Sequence, residues 1–443
     1  MSKYFKACLL GFGLSAAIHA AAHAADDLTN ALTESKWFGY GKIMVVADDK
    51  KGGRLNQQTP GFGGKIGAET GSLHGLRLKA AWYTTQDLGL RNDNPRATDA
   101  YMFDLDKTPY SIWGEAQLIA TFGKSSLITG RQEIFSPLIK TYEYRIIPNL
   151  YEAVALSNRD LPNTTLSLAY VSKMSGFDGL TTFSQFRPMS EQAYTSLMVT
   201  PAGAVDSANG ETLVPSTIVG NRGVWLAGAV HEAAPHSLQL WNAHAPELLN
   251  TAYVEGSTTM PLSPTLALTT EAQAYRVNAV GRFKEYLSGF GLNARYGLLG
   301  LKATLAHAPS GLSMALAANR FGGDDKTVTA FGNWGGYPEF VSMPYLFAAG
   351  SSVSAIACSK LIKLTGAVDL GKVGRPGHRL ILGHARINLD EAILPNSDLV
   401  VNSLIYLSKL SDRLSSRIAV ENRQSNNTRY DNDFVTVGVR YDF

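Results

Sequence analysis

The chain has 443 residues, 40 Lys and Arg against 37 Asp and Glu, and a mean hydropathy of -0.05. That near-balance excludes a nucleic-acid binder driven by bulk charge, and a helical membrane protein would be far more apolar. The length would serve two or three soluble domains, yet no Pro- or Ser-rich linker or shift in composition divides it, so one continuous architecture is expected.

From the N-terminus, Lys3 and Lys6 precede an apolar run from Ala7 to about Ala22, and Ala22-His23-Ala24 offers a small-residue cleavage site. This is the pattern of a secretion signal over residues 1–24, leaving 25–443 as a single mature domain. Loss of Lys3 and Lys6 takes the basic count from 40 to 38 against 37 acids, a net of +1. Cys8 lies before the apolar core and not at the cleavage site, which argues against a lipoprotein anchor. Cys358 is then alone, so no intrachain disulfide is available in an oxidising compartment.

The rest alternates with a period of two. Leu76, Leu78, Ala80 and Trp82 point one way and Arg77, Lys79, Ala81 and Tyr83 the other, and Glu115 and Gln117 oppose Ala116 and Leu118. Such runs predict strands at 37–47, 62–71, 75–86, 110–122, 125–134, 149–158, 163–173, 222–232, 236–244, 250–257, 265–277, 289–307, 311–320, 351–366, 376–388, 396–408, 411–423 and 433–443. The count is about 18, with 16 as the alternative. The chain closes with Val435, Val437, Val439, Tyr441 and Phe443 on one face and Thr436, Gly438, Arg440 and Asp442 on the other, a face for lipid and a face for water. Residues 340–359 carry no charge, but Pro344, Gly350 and five serines favour a loop entering a strand over a transmembrane helix.

Loop lengths sort by parity. The short links 71–75, 123–124, 160–163, 231–236, 308–311, 374–376 and 410–411 fall at one end, and the long links 87–109, 135–148, 174–221 and 321–350 at the other. Together these patterns predict an all-β, transmembrane, antiparallel up-and-down β-barrel; a soluble sandwich is the alternative but has no reason to sort its loops.

Gly130-Arg131-Gln132-Glu133, Ser136-Pro137-Leu138-Ile139, Arg145-Ile146-Ile147-Pro148-Asn149 and Ser157-Asn158-Arg159-Asp160-Leu161-Pro162-Asn163-Thr164-Thr165 together resemble the OprD-type family of outer-membrane porins. The similar block covers roughly 125–175. Trp334-Gly335-Gly336-Tyr337 and the last strand are also similar to that family and to its major-outer-membrane-protein relatives. The resemblance implies an eighteen-stranded barrel, a third external loop folded into the pore, and a row of lumen arginines that draws anionic groups, often carboxylates.

The third loop in the strand count is itself 135–148, and a barrel of this size needs something to narrow its channel. Its candidate eyelet residues are Lys140, Tyr142, Glu143, Tyr144 and Arg145, with Pro137 and Pro148 stiffening both ends. The plainer alternative leaves Glu143 exposed and uses the tyrosines to pack the loop on the wall. The facing basic row would draw on Arg77, Lys79, Arg131, Arg295, Arg386, Arg417, Arg423 and Arg440, of which Arg131 lies within the family-like block. A guanidinium stays charged and can hand a carboxylate on through paired hydrogen bonds. Any one of these could instead be paired to a carboxylate or lie outside the narrow zone.

Signals for an enzyme are weak. Gly61-Phe62-Gly63-Gly64-Lys65 lacks the Ser or Thr of a phosphate loop and suggests a bend at a strand's lip, and His231 to His236 reads as a turn. His378 and His384 would lie roughly 20 Å apart on one strand, too far for one metal. No Gly-x-Ser-x-Gly elbow is present. The expectation is a passive outer-membrane diffusion channel of a Gram-negative cell. Its partners would be membrane lipid and small hydrophilic solutes, with no cofactor, and trimer or monomer left open. The alternative is a structural or adhesive surface barrel acting through loops 174–221 and 321–350.

Overall fold

The computed structural model describes residues 27–99, 102–141, 145–176, 182–192, 215–328, 334–344, 357–393 and 395–443. The expected leader, 1–24, lies outside the described residues. Eighteen antiparallel strands form the wall: β1 Lys36–Lys50, β2 Gln57–Glu69, β3 Leu76–Gln86, β4 Tyr110–Phe122, β5 Ser125–Gln132, β6 Leu150–Asn158, β7 Thr164–Ser175, β8 Val224–Ala233, β9 His236–Ala245, β10 Leu249–Pro261, β11 Leu266–Ala279, β12 Arg295–His307, β13 Leu312–Phe321, β14 Lys360–Asp369, β15 His378–Asn388, β16 Leu399–Lys409, β17 Leu414–Ser425 and β18 Asn432–Asp442. Each pairs with its neighbour in sequence, and β18 returns to β1 from Tyr40↔Asp442 to Lys50↔Asn432, closing the sheet. A two-residue segment, Arg187–Pro188, pairs with Lys173 and Met174 beside the wall and is not a stave.

The predicted strands differ mainly at two starts. The span 289–307 begins at the last residue of a helix, Gly281–Gly289, and β12 starts only at Arg295. Phe290, Leu292 and Ala294, in the link between them, alternate as a strand would. The span 351–366 begins in residues outside those described, and β14 starts at Lys360. Among the described residues no helix is long and apolar enough to cross a membrane.

The links sort by end as the strand parity requires. One end carries 70–75, 123–124, 159–163, 234–235, 262–265, 308–311, 370–377 and 410–413, while 87–109, 133–149, 176–223, 280–294 and 322–359 leave the other, with shorter links at 51–56, 246–248, 389–398 and 426–431. His231 and His236 flank the Ala234-Pro235 turn between β8 and β9. His378 and His384 have separate partners, Tyr406 and Asn402.

Outward positions are apolar and exposed along every side of the wall, including Leu78, Leu168, Leu240, Leu301, Leu316, Leu364 and Val437. Aromatic residues collect at both ends of this belt. Trp37, Phe122, Tyr441 and Phe443 stand at the short-turn end; Trp82 pairs with Trp113, and Tyr170 lies 4.8 Å from Trp225, toward the long-loop end. From Trp113 to Phe122 is roughly 30 Å along the strand, or about 23 Å after a tilt of ~40°, the height of a hydrocarbon band flanked by interfacial aromatics. Leu316→Arg, at mid-strand on this belt, is expected to destabilise the barrel by about 2–4 kcal/mol in urea titrations of vesicle-inserted protein.

Candidate pore constriction

The third link at the long-loop end, 133–149, turns inward where β5 ends early, at Gln132. Its first limb folds as a tight hairpin: the Thr141 N–H donates to the Ile134 carbonyl (2.6 Å), the Ile134 N–H to Thr141 Oγ1 (3.0 Å), and the Ser136 N–H to the Ile139 carbonyl (3.0 Å). Ile134, Leu138 and Ile139 are buried beneath it. The second limb reaches β1 and β2. There the Tyr40 hydroxyl donates to the Ile146 carbonyl (2.6 Å) and Lys42 Nζ to the Arg145 carbonyl (2.8 Å). Gly61 and Gly63 make this docking possible, because a Cβ at either would lie 2.9 Å from an Ile146 side-chain carbon. The glycine run is therefore not the bend at a strand's lip that the sequence suggested. It lies within β2 and is the inner-wall seat of the loop.

A second inward segment, 334–344, meets the first. Ile139 and Gly335 bridge antiparallel, the Lys140 N–H donates to the Trp334 carbonyl (3.1 Å), and the Tyr151 hydroxyl lies 2.7 Å from the carbonyls of both Lys140 and Trp334. Trp334 is buried, with Nε1 donating to the Met189 carbonyl (2.9 Å), which ties in the long link 176–223. Beyond Gly336 the segment runs along the inner wall of β11 to β14. The Gln273 amide, oriented to satisfy both neighbours, donates to the Pro338 carbonyl (3.3 Å) and accepts from the Phe340 N–H (2.9 Å); Asn319 accepts from the Val341 N–H (3.3 Å). Asp104, in link 87–109, accepts from the Thr182 and Ser184 hydroxyls and the Phe183 N–H. Burial opposes its charge, but these bonds and the Leu105 N–H hold its carboxyl below the ordinary range. Four loops are thus bonded to one another inside the barrel mouth.

The inner wall carries charge mostly in pairs. Lys65 Nζ lies 3.0 Å from Glu115 and 2.9 Å from Glu133, and Lys79 lies 2.6 Å from Glu115. Arg77 pairs with Glu69, Arg440 with Asp442 (2.8 Å), Arg423 with Glu421 (3.3 Å), and, across the lumen, Lys302 with Glu271 (2.7 Å). Arg440 also lies 4.1 Å over the Tyr40 ring.

Of the expected basic row, Arg77, Lys79, Arg417, Arg423 and Arg440 face inward; Arg417 donates to Thr436 Oγ1 (3.2 Å). Three others do not. Gly130 pairs with the inward Gln117, so Arg131 is outward, over the Phe186 ring (4.5 Å) and donating to the Trp113 carbonyl (3.0 Å). Arg295 shares parity with the exposed Leu299 and Leu301, and Arg386 pairs with the exposed Ile362. At each of these strand ends a one-residue difference in register exchanges the faces. Lys42 and Lys65 were missed, although the alternation Phe38, Tyr40, Lys42, Met44 would have placed Lys42 on the inner face.

In the constriction loop, Lys140 is half-buried, and burial pulls its ammonium group down. Arg145 is buried, donating to Asn149 Oδ1 (2.7 Å). Tyr142, Glu143 and Tyr144 lie outside the described residues.

No family model and no curated protein sequence matches the chain. Its fold matches solved structures across nearly its whole length. Acinetobacter baumannii OccAB3 is 14% identical with a TM-score of 0.72, covering 93% of this chain and 100% of that one. Pseudomonas aeruginosa OccK9 (OpdG) gives 14% and 0.71, covering 94% and 99%. Pseudomonas aeruginosa OpdK, solved with vanillate, gives 13% and 0.69, covering 93% and 99%.

Glu339 supplies a pH test of loop docking. Its Oε2 is sealed from solvent without a partner among the described residues, and burial pushes its carboxyl from 4.5 up to about 8 against the opposing pull of Lys363; Tyr275 and Tyr296 also face it. The docked segment retains a proton that a released one gives up, so docking is strongest below about pH 4.5 and weakens as pH rises to about 8. Single-channel conductance is expected to gain open substates over that window in the wild type and to stay flat in Glu339→Gln.

Proposed function

We propose that the chain is an outer-membrane porin of the OprD type, a passive diffusion channel that favours small anionic, carboxylate-bearing solutes. The observation that carries this reading is a basic arc on the inner wall. Arg77 and Lys79 on β3, Lys65 on β2, Lys42 on β1, Arg440 on β18 and Arg417 on β17 occupy five adjacent strands, and Lys42 pairs directly with Arg440. The second limb of the inward loop lies against the same wall. The fold shared with OprD-like structures and the family-like block at 125–175 support the reading, as does the apolar outer belt. On this reading residues 1–24 are the export signal, the long loops face outside the cell, and Tyr142, Glu143 and Tyr144 border the narrow zone.

Most bases of the arc are held near a carboxylate, which suits passage. A fully exposed row would bind an anion too tightly to release it, whereas partly neutralised sites pass it on. The shared Glu115 also holds Lys65 and Lys79 in fixed positions, so selection does not wait on rearrangement.

In planar bilayers under a salt gradient, Lys42→Ala and Arg440→Ala are expected to lower the anion-to-cation permeability ratio about twofold or more, while the outward Arg131→Ala leaves it unchanged. Glu143→Gln is expected to raise the ratio. Unaltered ratios in all variants would move the selective zone elsewhere. A folded barrel that gives no conductance steps would make the structural or adhesive reading the better one.

A further inference from the structure

Arg295 and Arg386, which do not face the lumen, belong to a pattern of their own. Arg276 on β11, Arg295 on β12, Arg320 on β13, Lys360 on β14 and Arg386 on β15 are all outward and exposed, and each lies within the last few residues of its strand at the long-loop end. Five consecutive strands therefore carry one cation each at the rim. None of the five is held in an ion pair among the described residues. Arg320 and Lys360 are direct cross-strand partners, and like charges placed opposite each other destabilise a sheet unless an anion lies between them. No acidic residue occupies an outward position on these strands. Of the acids in the adjoining loops, Asp324 is engaged by Thr327 and Asn293, Asp390 by the Ala392 N–H, Glu391 by the Asn396 N–H and Asp398 by Asn388 and the Leu389 N–H, while Glu285 and Asp325 are exposed beyond the rim.

Below the row, on the same face, stand Leu299, Leu316, Ile362, Leu364 and Leu382, all exposed. Cations above a wide apolar wall match an amphipathic anion with several acyl chains. The rest of the rim differs: β3, β4, β7 and β8 present Trp82, Trp113, Tyr170 and Trp225, and the outward Lys173 is matched by Glu152 at 2.9 Å.

We propose that this row binds the phosphate groups of an anionic lipid in the outer leaflet, with its acyl chains against the leucines below. The proposal rests on the outer-membrane reading. Adjacent strands are about 4.8 Å apart, so the row spans roughly 20 Å, wide enough for a headgroup with two separated phosphates. Arg forks and a Lys ammonium can contact such phosphates without entering the hydrocarbon.

The test uses the folded full-length chain in detergent micelles. Binding of diphosphorylated lipid A and of its dephosphorylated counterpart is followed by native mass spectrometry at two salt concentrations. Wild type is compared with the combined Arg320→Gln, Lys360→Gln, Arg386→Gln variant and with Arg131→Gln. Heat-modifiable gel mobility reports folding, and bilayer conductance is recorded separately. The expected result is a loss of about tenfold or more in lipid A affinity in the combined variant, a similar loss on dephosphorylation, and little change for Arg131→Gln. Should the combined variant fail to fold, Lys360→Gln alone is expected to lose about fivefold.

Retention of lipid A within about twofold by a folded variant would overturn the proposal. So would equal binding of the dephosphorylated lipid, or a variant that changes only self-association, which would make the row a contact between copies. A wild type that binds phosphorylated lipid through this row yet passes no current would sink the channel reading and leave the lipid site standing.

Discussion

Everything in this molecule depends on the seam between Lys36–Lys50 and Asn432–Asp442. An open sheet would present two edges of unpaired N–H and C=O groups, and hydrocarbon offers no water to satisfy them. Closing the circle satisfies both edges at once and frees the side chains to divide into two populations, one for each face. The outer population is Leu, Val and Trp with cations at one stretch of rim; the inner one is charged, small or aromatic. No disulfide helps, since Cys358 is the free cysteine of the described residues.

A closed wall of this circumference is hollow, and this chain fills the hollow with its own loops. The filling is built rather than draped: glycine seats on β2, an inter-loop strand bridge at Ile139 and Gly335, and a buried Trp334 at the junction of three loops. Each contact fixes a loop to another loop or to the wall, so the narrow zone inherits the rigidity of the barrel. Inward charges are correspondingly paired. Removing one partner from Glu115, Lys65 and Lys79 would leave a buried charge without compensation, a much larger loss than the pair's own contribution.

The sequence carried the architecture well, because lipid outside and water inside impose a strict period of two and loop parity follows. The closing strand's lipid face, from Val435 to Phe443, could be read directly. Strand starts were less legible where apolar residues outside a strand alternate too, as Phe290, Leu292 and Ala294 do ahead of β12. The inner and outer positions of Arg131, Arg295 and Arg386 were misread for a related reason. Near strand ends a bulge or one uncertain residue exchanges the faces, and charged side chains are at home in either location there. Lys42 and Lys65 lie deep in β1 and β2, where alternation is reliable, and could have been found. The loop contacts were beyond reach, since no local pattern announces that Gly61 will receive Ile146 or that residues 334–336 will meet 138–140. Those pairings are set by the geometry of the closed wall.

The seam also dictates how the molecule must be made. Asp48 and its hydrogen-bond partner Asn432 are 384 residues apart, so the contact that completes the cylinder is among the last the chain can form and carries one of its greatest entropy costs. Until that moment the outward leucines and valines are displayed on hairpins with open edges, the condition under which polypeptides aggregate. The finished barrel's stability therefore gives no protection to its precursor. Such a chain requires escort through water, and a lesion in either seam strand would be felt as failed assembly rather than as a weaker product.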